Sequence, residues 1–261
     1  MKTGKTLRVS IIGTGNVATH LSQAIAASEF DLVHIVSRDI QRANALAEQV
    51  SAKGIDDLSL LKSNCDIVIL AVKDEVLTPE LLKRIPQDII LCHTSGTVGM
   101  SVLSAHAKHG IFYPLQTFSK QKEVDFSSIP ICLEANSEEV YDSLNLLAEA
   151  ISTKVYSVNS EQRKALHIAA VFACNFTNLM YDISEKLCQE SGLDFDILRP
   201  LISETADKVQ HHLPKDVQTG PAARNDNNII DSHLKALGKH ADYQKIYKLL
   251  TQEIIQNNEE L

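Results

Sequence analysis

The sequence has no long hydrophobic run and no cluster of basic residues, and each absence excludes a class of protein. The first apolar run, residues 7–12, is far too short for a signal-peptide core or a membrane span. The formal net charge is −8, and no basic face of the kind that grips nucleic acid is present. We therefore expect a cytoplasmic protein with neither a nucleic acid nor a membrane as partner.

The chain also lacks CxxC pairs, internal repeats and low-complexity segments. Five cysteines are odd in number and widely scattered, so we expect reduced, mostly buried thiols and no disulfide framework or metal site. Hydrophobic residues make up 44% of the 261 residues and charged residues 22%, which is ordinary for a globular protein. The length favours two domains, each with its own core.

Short β-branched runs alternate with helical stretches over the first part of the chain. Such alternation predicts an α/β fold with a doubly wound, mostly parallel Rossmann sheet. We expect a first domain over residues 1–157 and an all-helical second domain over 158–261, which has no convincing strand and one long non-helical connection near 214–228. The predicted strands are 7–12, 31–37, 66–72, 89–92, 110–113, 129–133 and 154–158, and the later helices are 160–190, 194–212, 227–238 and 241–256.

A glycine-rich turn, GTGNVA at residues 13–18, follows the first predicted strand and precedes a helix. Gly13 permits the tight turn, Gly15 lets the backbone approach a diphosphate, and Ala18 lets the helix pack closely on the strand. The amides and dipole of the helix N-terminus favour the phosphates. The sequence therefore predicts a dinucleotide site at Gly13, Thr14, Gly15, Asn16 and Val17.

The end of the second predicted strand indicates which dinucleotide binds. An NAD site usually has an acidic residue there for the ribose 2′-hydroxyl, whereas Ser37 and Arg38 suit the 2′-phosphate of NADP. Asp39 comes late and is predicted to cap the next helix. Val72, at the end of the strand at 66–72, would contact the cofactor. Lys73, which follows it, could attract a phosphate or could equally be a surface residue.

Polar residues after the next two strands form the candidate reaction centre. His93 and Ser95 could supply a proton donor and an orienting hydroxyl for carbonyl or imine reduction. The alternatives are that His93 is a packed loop residue and that Ser95 caps a helix. Tyr113 either lines the same cleft or is a half-buried core aromatic.

Two candidate substrate-binding segments lie in the predicted helical domain. In a regular helix His167, Val171, Asn175 and Asn178 fall within an arc of about 80°, which predicts a wet cleft lined by His167 and Asn175. Arg224 could bind a substrate carboxylate, with a fixed Arg224–Asp226 pair as the alternative. Asp226 is predicted to cap the following helix.

The assembled motifs resemble a family of NADP-dependent oxidoreductases with a Rossmann-like N-terminal half and an uncharacterised helical C-terminal half, similar to pyrroline-5-carboxylate reductase, ketopantoate reductase and deazaflavin-dependent NADP reductases. The likeness runs along nearly the whole chain and implies the fold, an NADP cofactor and a homodimer formed through the helical domain. Tyr113 stands where family members often carry His. The blocks that carry the resemblance are residues 13–18, 93–96, 114–118 and 167–175, with Gly220, Pro221, Arg224, Asp226 and His233.

Two functions follow from these residues. The first is an NADP(H)-dependent oxidoreductase that reduces a small anionic carbonyl or imine compound, with a proton from His93 or His167 and a carboxylate held by Arg224. The alternative is a non-catalytic NADP(H)-binding sensor or regulatory protein, because residues 167–178 contain no lysine to act as a general acid.

Overall fold

A mixed β-sheet forms the core of the computed structural model, which describes residues 7–63, 65–119 and 121–259. Within these residues the sheet has eight strands in the order β3-β2-β1-β4-β5-β6-β7-β8. All neighbouring strands are parallel except β6 and β7, which are antiparallel. The strands are β1 Arg8–Ile12, β2 Asp31–Val36, β3 Lys53–Ile55, β4 Ile67–Leu70, β5 Ile90–His93, β6 His109–Pro114, β7 Ile131–Ala135 and β8 Val155–Ser157.

Helices cover both faces of the sheet, and each face has its own apolar core. Every residue of β4 is buried, as expected for a central strand covered on both sides. The α-helices of the first part are α1 Asn16–Ala26, α2 Ile40–Gln49, α3 Pro79–Leu82 and α4 Glu138–Ile151. Short 3-10 helices lie at Leu58–Ser63, Asp74–Val76, Met100–Leu103 and Phe126–Ser128.

The doubly wound, mostly parallel sheet predicted from the sequence is confirmed, and each of the seven predicted strands has an observed counterpart. The strand that the pattern did not predict is β3. It is only three residues long, begins with an exposed lysine and contains Gly54, so neither its length nor its side chains give the alternation typical of a strand.

The second half of the described chain is helical, as predicted, and contains no strand after β8. Its α-helices are α5 Ser160–Ala170, α6 Thr177–Glu190, α7 Arg199–His211, α8 Asn227–Ala236 and α9 Ala241–Glu259. The predicted non-helical connection near 214–228 contains a 3-10 helix, Pro214–Val217. Two more 3-10 helices are Phe195–Leu198 and Leu237–Lys239.

The prediction of a continuous α-helix over 160–190 was wrong, because a π-helical segment, Val171–Phe176, lies between α5 and α6. A π-helix bonds residue i to i+5 and therefore turns less per residue than an α-helix. The shared face calculated for His167, Val171, Asn175 and Asn178 assumed uniform α-helical rotation, so that calculation does not hold across this segment.

By their internal contacts the described residues divide into two compact units, one up to residue 174 and one from residue 175 onwards. The first unit contains the whole sheet and α5, and the second contains α6 to α9. The sequence predicted a boundary between residues 157 and 158, directly after β8, whereas the division by contacts falls after α5. No helix among the described residues is both long enough and apolar enough to cross a bilayer.

Candidate functional site

The turn between β1 and α1 has the geometry of a dinucleotide-binding turn. Gly13 adopts φ 132°, a backbone conformation that favours glycine, and its amide donates to the carbonyl of Val36 at 2.9 Å. A Cβ at Gly13 would lie 2.1 Å from the carbonyl oxygen of Ala71, the residue after β4. The turn therefore lies where the strand order reverses between β1 and β4, and ligands of open α/β sheets bind at such points.

Gly15 shows that the same turn fits a diphosphate. It is the N-cap of α1, and a Cβ built on it would meet no atom within 4 Å, so it borders open space. The first turn of α1, all of it described, contains no acidic side chain that would repel an anion. Ala18 is fully buried and lets α1 pack on the sheet. The residues present therefore fit a phosphate group at this helix N-terminus.

The side chains after β2 are a helix cap, a hydroxyl bonded to the backbone and an exposed arginine. Asp39 caps α2 by accepting from the amides of Gln41 and Arg42, as the sequence predicted, and its carboxylate also pairs with the Arg42 guanidinium. Ser37 Oγ accepts from the amide of Asp39 at 3.2 Å. Arg38 is exposed. The carboxylate nearest the end of β2 is thus already used within α2.

Val72 and Lys73 follow β4 at the same sheet edge. Val72 is partly buried against the core, whereas Lys73 is exposed and lies 3.8 Å from the carboxylate of Glu75. A surface ion pair of this kind contributes little free energy, so Lys73 could exchange Glu75 for a phosphate at small cost.

His93, at the end of β5, is fully buried. Its Nδ1 accepts from the amide of Ser95 at 3.1 Å, and its Nε2 has no hydrogen-bond partner among the described residues. Burial, reinforced by the charge of Arg163, lowers the pKa of His93 to about 4. The ring is therefore neutral near pH 7, and it fixes the start of the following loop.

Ser95 forms a turn within the loop that follows β5. Its Oγ accepts from the amides of Thr97 at 3.1 Å and Val98 at 3.0 Å, and the side chain is buried. These bonds form a turn before the 3-10 helix Met100–Leu103 rather than the N-cap of an α-helix. The hydroxyl is thus engaged by backbone amides of its own loop.

Tyr113 and His167 form a pair beside Gly96. The Tyr113 hydroxyl lies 3.1 Å from Nδ1 of His167, and their rings meet edge to face. A Cβ on Gly96 would lie 2.6 Å from Nδ1 of His167 and 3.0 Å from Cζ of Tyr113. Burial raises the pKa of Tyr113 to about 12, so its phenol stays protonated. The partly exposed His167 has no hydrogen bond at Nε2 to any described residue, which leaves this atom open to a ligand.

Arg163 is a residue of this region that the sequence did not reveal. It lies on α5 one helical turn before His167, and its side chain is fully buried. Its guanidinium donates to the carbonyls of Ser95 and Val98 and to the carboxylate of Glu134. A charged residue on a polar helix usually faces solvent, so only the spacing of Arg163 and His167 on one face could have signalled it.

In the second unit, the side chains of Asn175 and Arg224 are exposed. Arg224 has no ion pair with any described residue, so the alternative of a fixed Arg224–Asp226 pair is not formed. Asp226 caps α8 by accepting from the amide of Ile229, as predicted. Asn225 has φ 54°, a conformation that Asn tolerates better than most residues.

The chain is 40% identical to a Bacteroides fragilis protein described as a "putative NADP oxidoreductase", over 96% of this chain and 98% of that one, with a TM-score of 0.88. The chain belongs to the family of that NADP oxidoreductase. Two family models match parts of the chain. The model for shikimate/quinate 5-dehydrogenase matches residues 1–89, and a domain of unknown function, DUF2520, matches residues 129–254.

More distant solved structures share the fold of this family member. A Streptococcus pyogenes 1-pyrroline-5-carboxylate reductase is 14% identical over 98% of this chain and 99% of that one, with a TM-score of 0.66. An Aspergillus terreus reductive aminase, solved with NADPH and ethyl levulinate, is 13% identical over 97% and 95%, with a TM-score of 0.74. The predicted likeness to pyrroline-5-carboxylate reductase is confirmed at the level of fold.

A curated relative, glutamyl-tRNA reductase of Streptococcus sanguinis, is 29% identical over 102 residues. The match covers 36% of this chain and only 24% of that protein.

Proposed function

We propose that this protein is an NADP(H)-dependent oxidoreductase that reduces a small anionic carbonyl or imine compound. The Tyr113–His167 pair carries the proposal, because Tyr113 and Gly96 lie at Nδ1 of the imidazole and leave Nε2 without a hydrogen bond to any described residue. Gly96 follows β5 and Gly13 follows β1, and both strands end at the same edge of the parallel sheet. A proton donor and a dinucleotide turn at one edge are what such a reduction needs.

The cofactor would be held by the backbone from Gly13 to Val17, with Thr14, Asn16 and Val72 beside it. Ser37 and Arg38 would bind the 2′-phosphate and make NADP preferred over NAD, since Asp39 is occupied as a helix cap. Lys73 would add a further positive charge. When bound, the reduced nicotinamide supplies the hydride.

His167 is the residue that we propose as proton donor. As hydride reaches the carbonyl or imine carbon, negative charge develops on the neighbouring oxygen or nitrogen, and a proton from Nε2 of His167 neutralises it. Tyr113, at Nδ1, orients the ring. His93 is less suited to this role because its ring is buried and its low pKa keeps it neutral.

The substrate's anionic group would bind to Arg224, whose guanidinium has no competing carboxylate among the described residues. Asn175 would add a hydrogen bond. Because a forked guanidinium recognises a carboxylate through two parallel bonds, 2-keto acids and cyclic imino acids are the first compounds to test.

The test is NADPH consumption by the purified protein with a panel of 2-keto acids, cyclic imines and aldehydes. Once a substrate is found, His167→Asn should lower kcat by about 10²–10⁴-fold, the usual contribution of a general acid. Tyr113→Phe keeps the ring and removes the contact to Nδ1, so it should cause a smaller loss. Tight NADPH binding without turnover of any compound would favour the sensor function instead.

We also propose that the protein is a homodimer formed through its helical unit. Several large apolar side chains of that unit are exposed in the single chain, and exposed apolar surface often marks an interface. They include Leu179, Leu193, Ile197, Leu201, Val209, Leu213, Leu249 and Leu250.

A further inference from the structure

Arg163 is a fully buried cation that donates to two backbone carbonyls of one loop and to a carboxylate. Its Nε donates to the carbonyl of Ser95 at 3.1 Å, and its Nη2 donates to the carbonyl of Val98 at 2.6 Å. Its Nη1 donates to Oε2 of Glu134, on β7, at 2.6 Å. A buried ion pair is weak evidence for stability, because desolvation offsets most of the attraction. Stability alone therefore does not explain why Arg163 is buried at this position.

Ser160 extends the same network to the far end of the loop. Its Oγ donates to Oε2 of Glu134 at 2.7 Å and accepts from the amide of Met100 at 3.0 Å. Helix α5 thus holds the loop 95–100 at three backbone positions, and Glu134 fixes both side chains of α5 that do so. We call Arg163, Glu134 and Ser160 the loop clamp.

We propose that Arg163 is a positioning residue for the Tyr113–His167 pair, an inference that rests on the proposed function. Arg163 and His167 are four residues apart and therefore share a face of α5. Arg163 holds the carbonyl of Ser95, and the next residue, Gly96, is the one that His167 and Tyr113 contact. The guanidinium thereby sets how closely the imidazole approaches the loop.

Positioning the loop in this way requires the forked arrangement of donors on a guanidinium. Lysine keeps the positive charge, but a single ammonium group cannot reach the two carbonyls and the carboxylate in the same fixed geometry. The charge also acts on the pair directly, because Arg163 lowers the pKa of Tyr113 against the larger opposing effect of burial.

The test compares the full-length wild type with Arg163→Lys, with Arg84→Lys as the matched exchange of an exposed arginine. In Arg163→Lys the amides of Val98 and Met100 should exchange with deuterium about tenfold faster or more, because charged hydrogen bonds that order the loop are lost. The His167 ring signal in NMR should move towards its position in Tyr113→Phe. Arg84→Lys should change neither.

Cofactor binding and turnover separate this role from a general loss of structure. The NADPH dissociation constant of Arg163→Lys should stay within about twofold of wild type, because Arg163 does not contact the glycine turn. With the substrate from the panel, kcat should fall about tenfold or more while KM changes little, since the loss is confined to the transition state.

A lower melting temperature with unchanged loop exchange and an unchanged His167 signal would overturn the proposal. If Arg163→Lys does not fold, Arg163→Met with Glu134→Met replaces it, because removing both charges leaves no buried ion unpaired. The same exchange and NMR outcomes then apply. Absence of NADPH binding or turnover in the wild type would refute the proposed function, whereas the exchange and NMR measurements test the clamp independently.

Discussion

At the scale of the residue, Arg38 is the side chain on which the choice of dinucleotide is proposed to depend. It is exposed at the end of β2, and the nearby Asp39 is committed to capping α2. A guanidinium gains most from a 2′-phosphate and little from a 2′-hydroxyl, because the phosphate brings negative charge and several acceptors.

Arg38→Ala should therefore weaken NADPH binding by about 10- to 100-fold, the loss expected for one hydrogen-bonded charge pair. NADH binding should change by less than about twofold, because NADH has no 2′-phosphate. Titration calorimetry with both cofactors measures the difference, and Arg84→Ala is the control. Equal weakening of both cofactors would reject the 2′-phosphate assignment.

His93 makes the stability of the fold depend on pH. Its pKa is about 4 in the folded protein, whereas an unperturbed histidine titrates near 6.5. Between these values the unfolded chain binds a proton that the folded chain does not, so stability is lost as the pH falls from 6.5 towards 4. Burial also lowers the pKa values of His34 and His106, which act in the same direction.

The contribution of His93 can be isolated with His93→Asn, whose carbonyl can still accept from the amide of Ser95. From pH 7.5 to 5 the wild type should lose about 2 kcal/mol more unfolding free energy than the variant. Urea unfolding at the two pH values measures this difference, and the contributions of His34 and His106 cancel in it. Parallel losses would show that His93 titrates normally.

At the scale of the element, the loop after β5 depends on one glycine for its contact with α5. A methyl group on Gly96 would come within 2.6 Å of the His167 ring, closer than packed atoms approach. A methyl group on Gly99, in the same loop, would have Ser101 Oγ at 3.6 Å as its nearest neighbour, and Gly99 has an ordinary φ of −70°. The two positions therefore differ in packing rather than in backbone strain.

Gly96→Ala should destabilise the fold by about 1–3 kcal/mol, the usual cost of overpacking, and displace His167. Gly99→Ala should stay within about 0.5 kcal/mol of wild type. Chemical denaturation gives the stabilities, and turnover of the panel substrate should fall only in the first variant. A Gly96→Ala protein with wild-type stability and activity would contradict the close approach described above.

The elements differ in how far the sequence could predict them. The β1–α1 turn was predictable because its glycines, strand and helix are adjacent in the chain, and so were the caps Asp39 and Asp226. The π-helical segment was not, because Val171–Phe176 has the composition of an ordinary helix. The loop clamp was not either, since Arg163 is paired with Glu134, 29 residues away, and local patterns do not show such pairs.

At the scale of the whole molecule, formation of a dimer would explain why large apolar side chains of the helical unit are exposed in the single chain. Ile197 and Leu201 are 65% and 62% exposed, far more than large apolar side chains usually are. Burying them against a second copy would contribute about 1.5–3 kcal/mol for each side chain. From the sequence, a dimer formed through the helical domain was implied only by the resemblance to a known family.

The double variant Ile197→Asp with Leu201→Asp should shift the protein from dimer to monomer in sedimentation velocity, because a buried carboxylate is costly. Leu146→Asp, on the exposed face of α4 in the first unit, is the control and should remain dimeric. A wild type that sediments as a monomer at all concentrations would refute the proposed dimer.

The distribution of the five thiols gives the molecule a built-in site for chemical labelling. Cys65, Cys92 and Cys132 are buried in the first unit, and burial raises the pKa of each, to about 11 for Cys65. Since only a thiolate attacks a maleimide, these three should stay unmodified near neutral pH. Cys174 is exposed in the π-helical segment, and Cys188, on α6, is partly exposed. Once Cys188 is replaced, a fluorophore could be attached beside α5 with the three buried cysteines left in place.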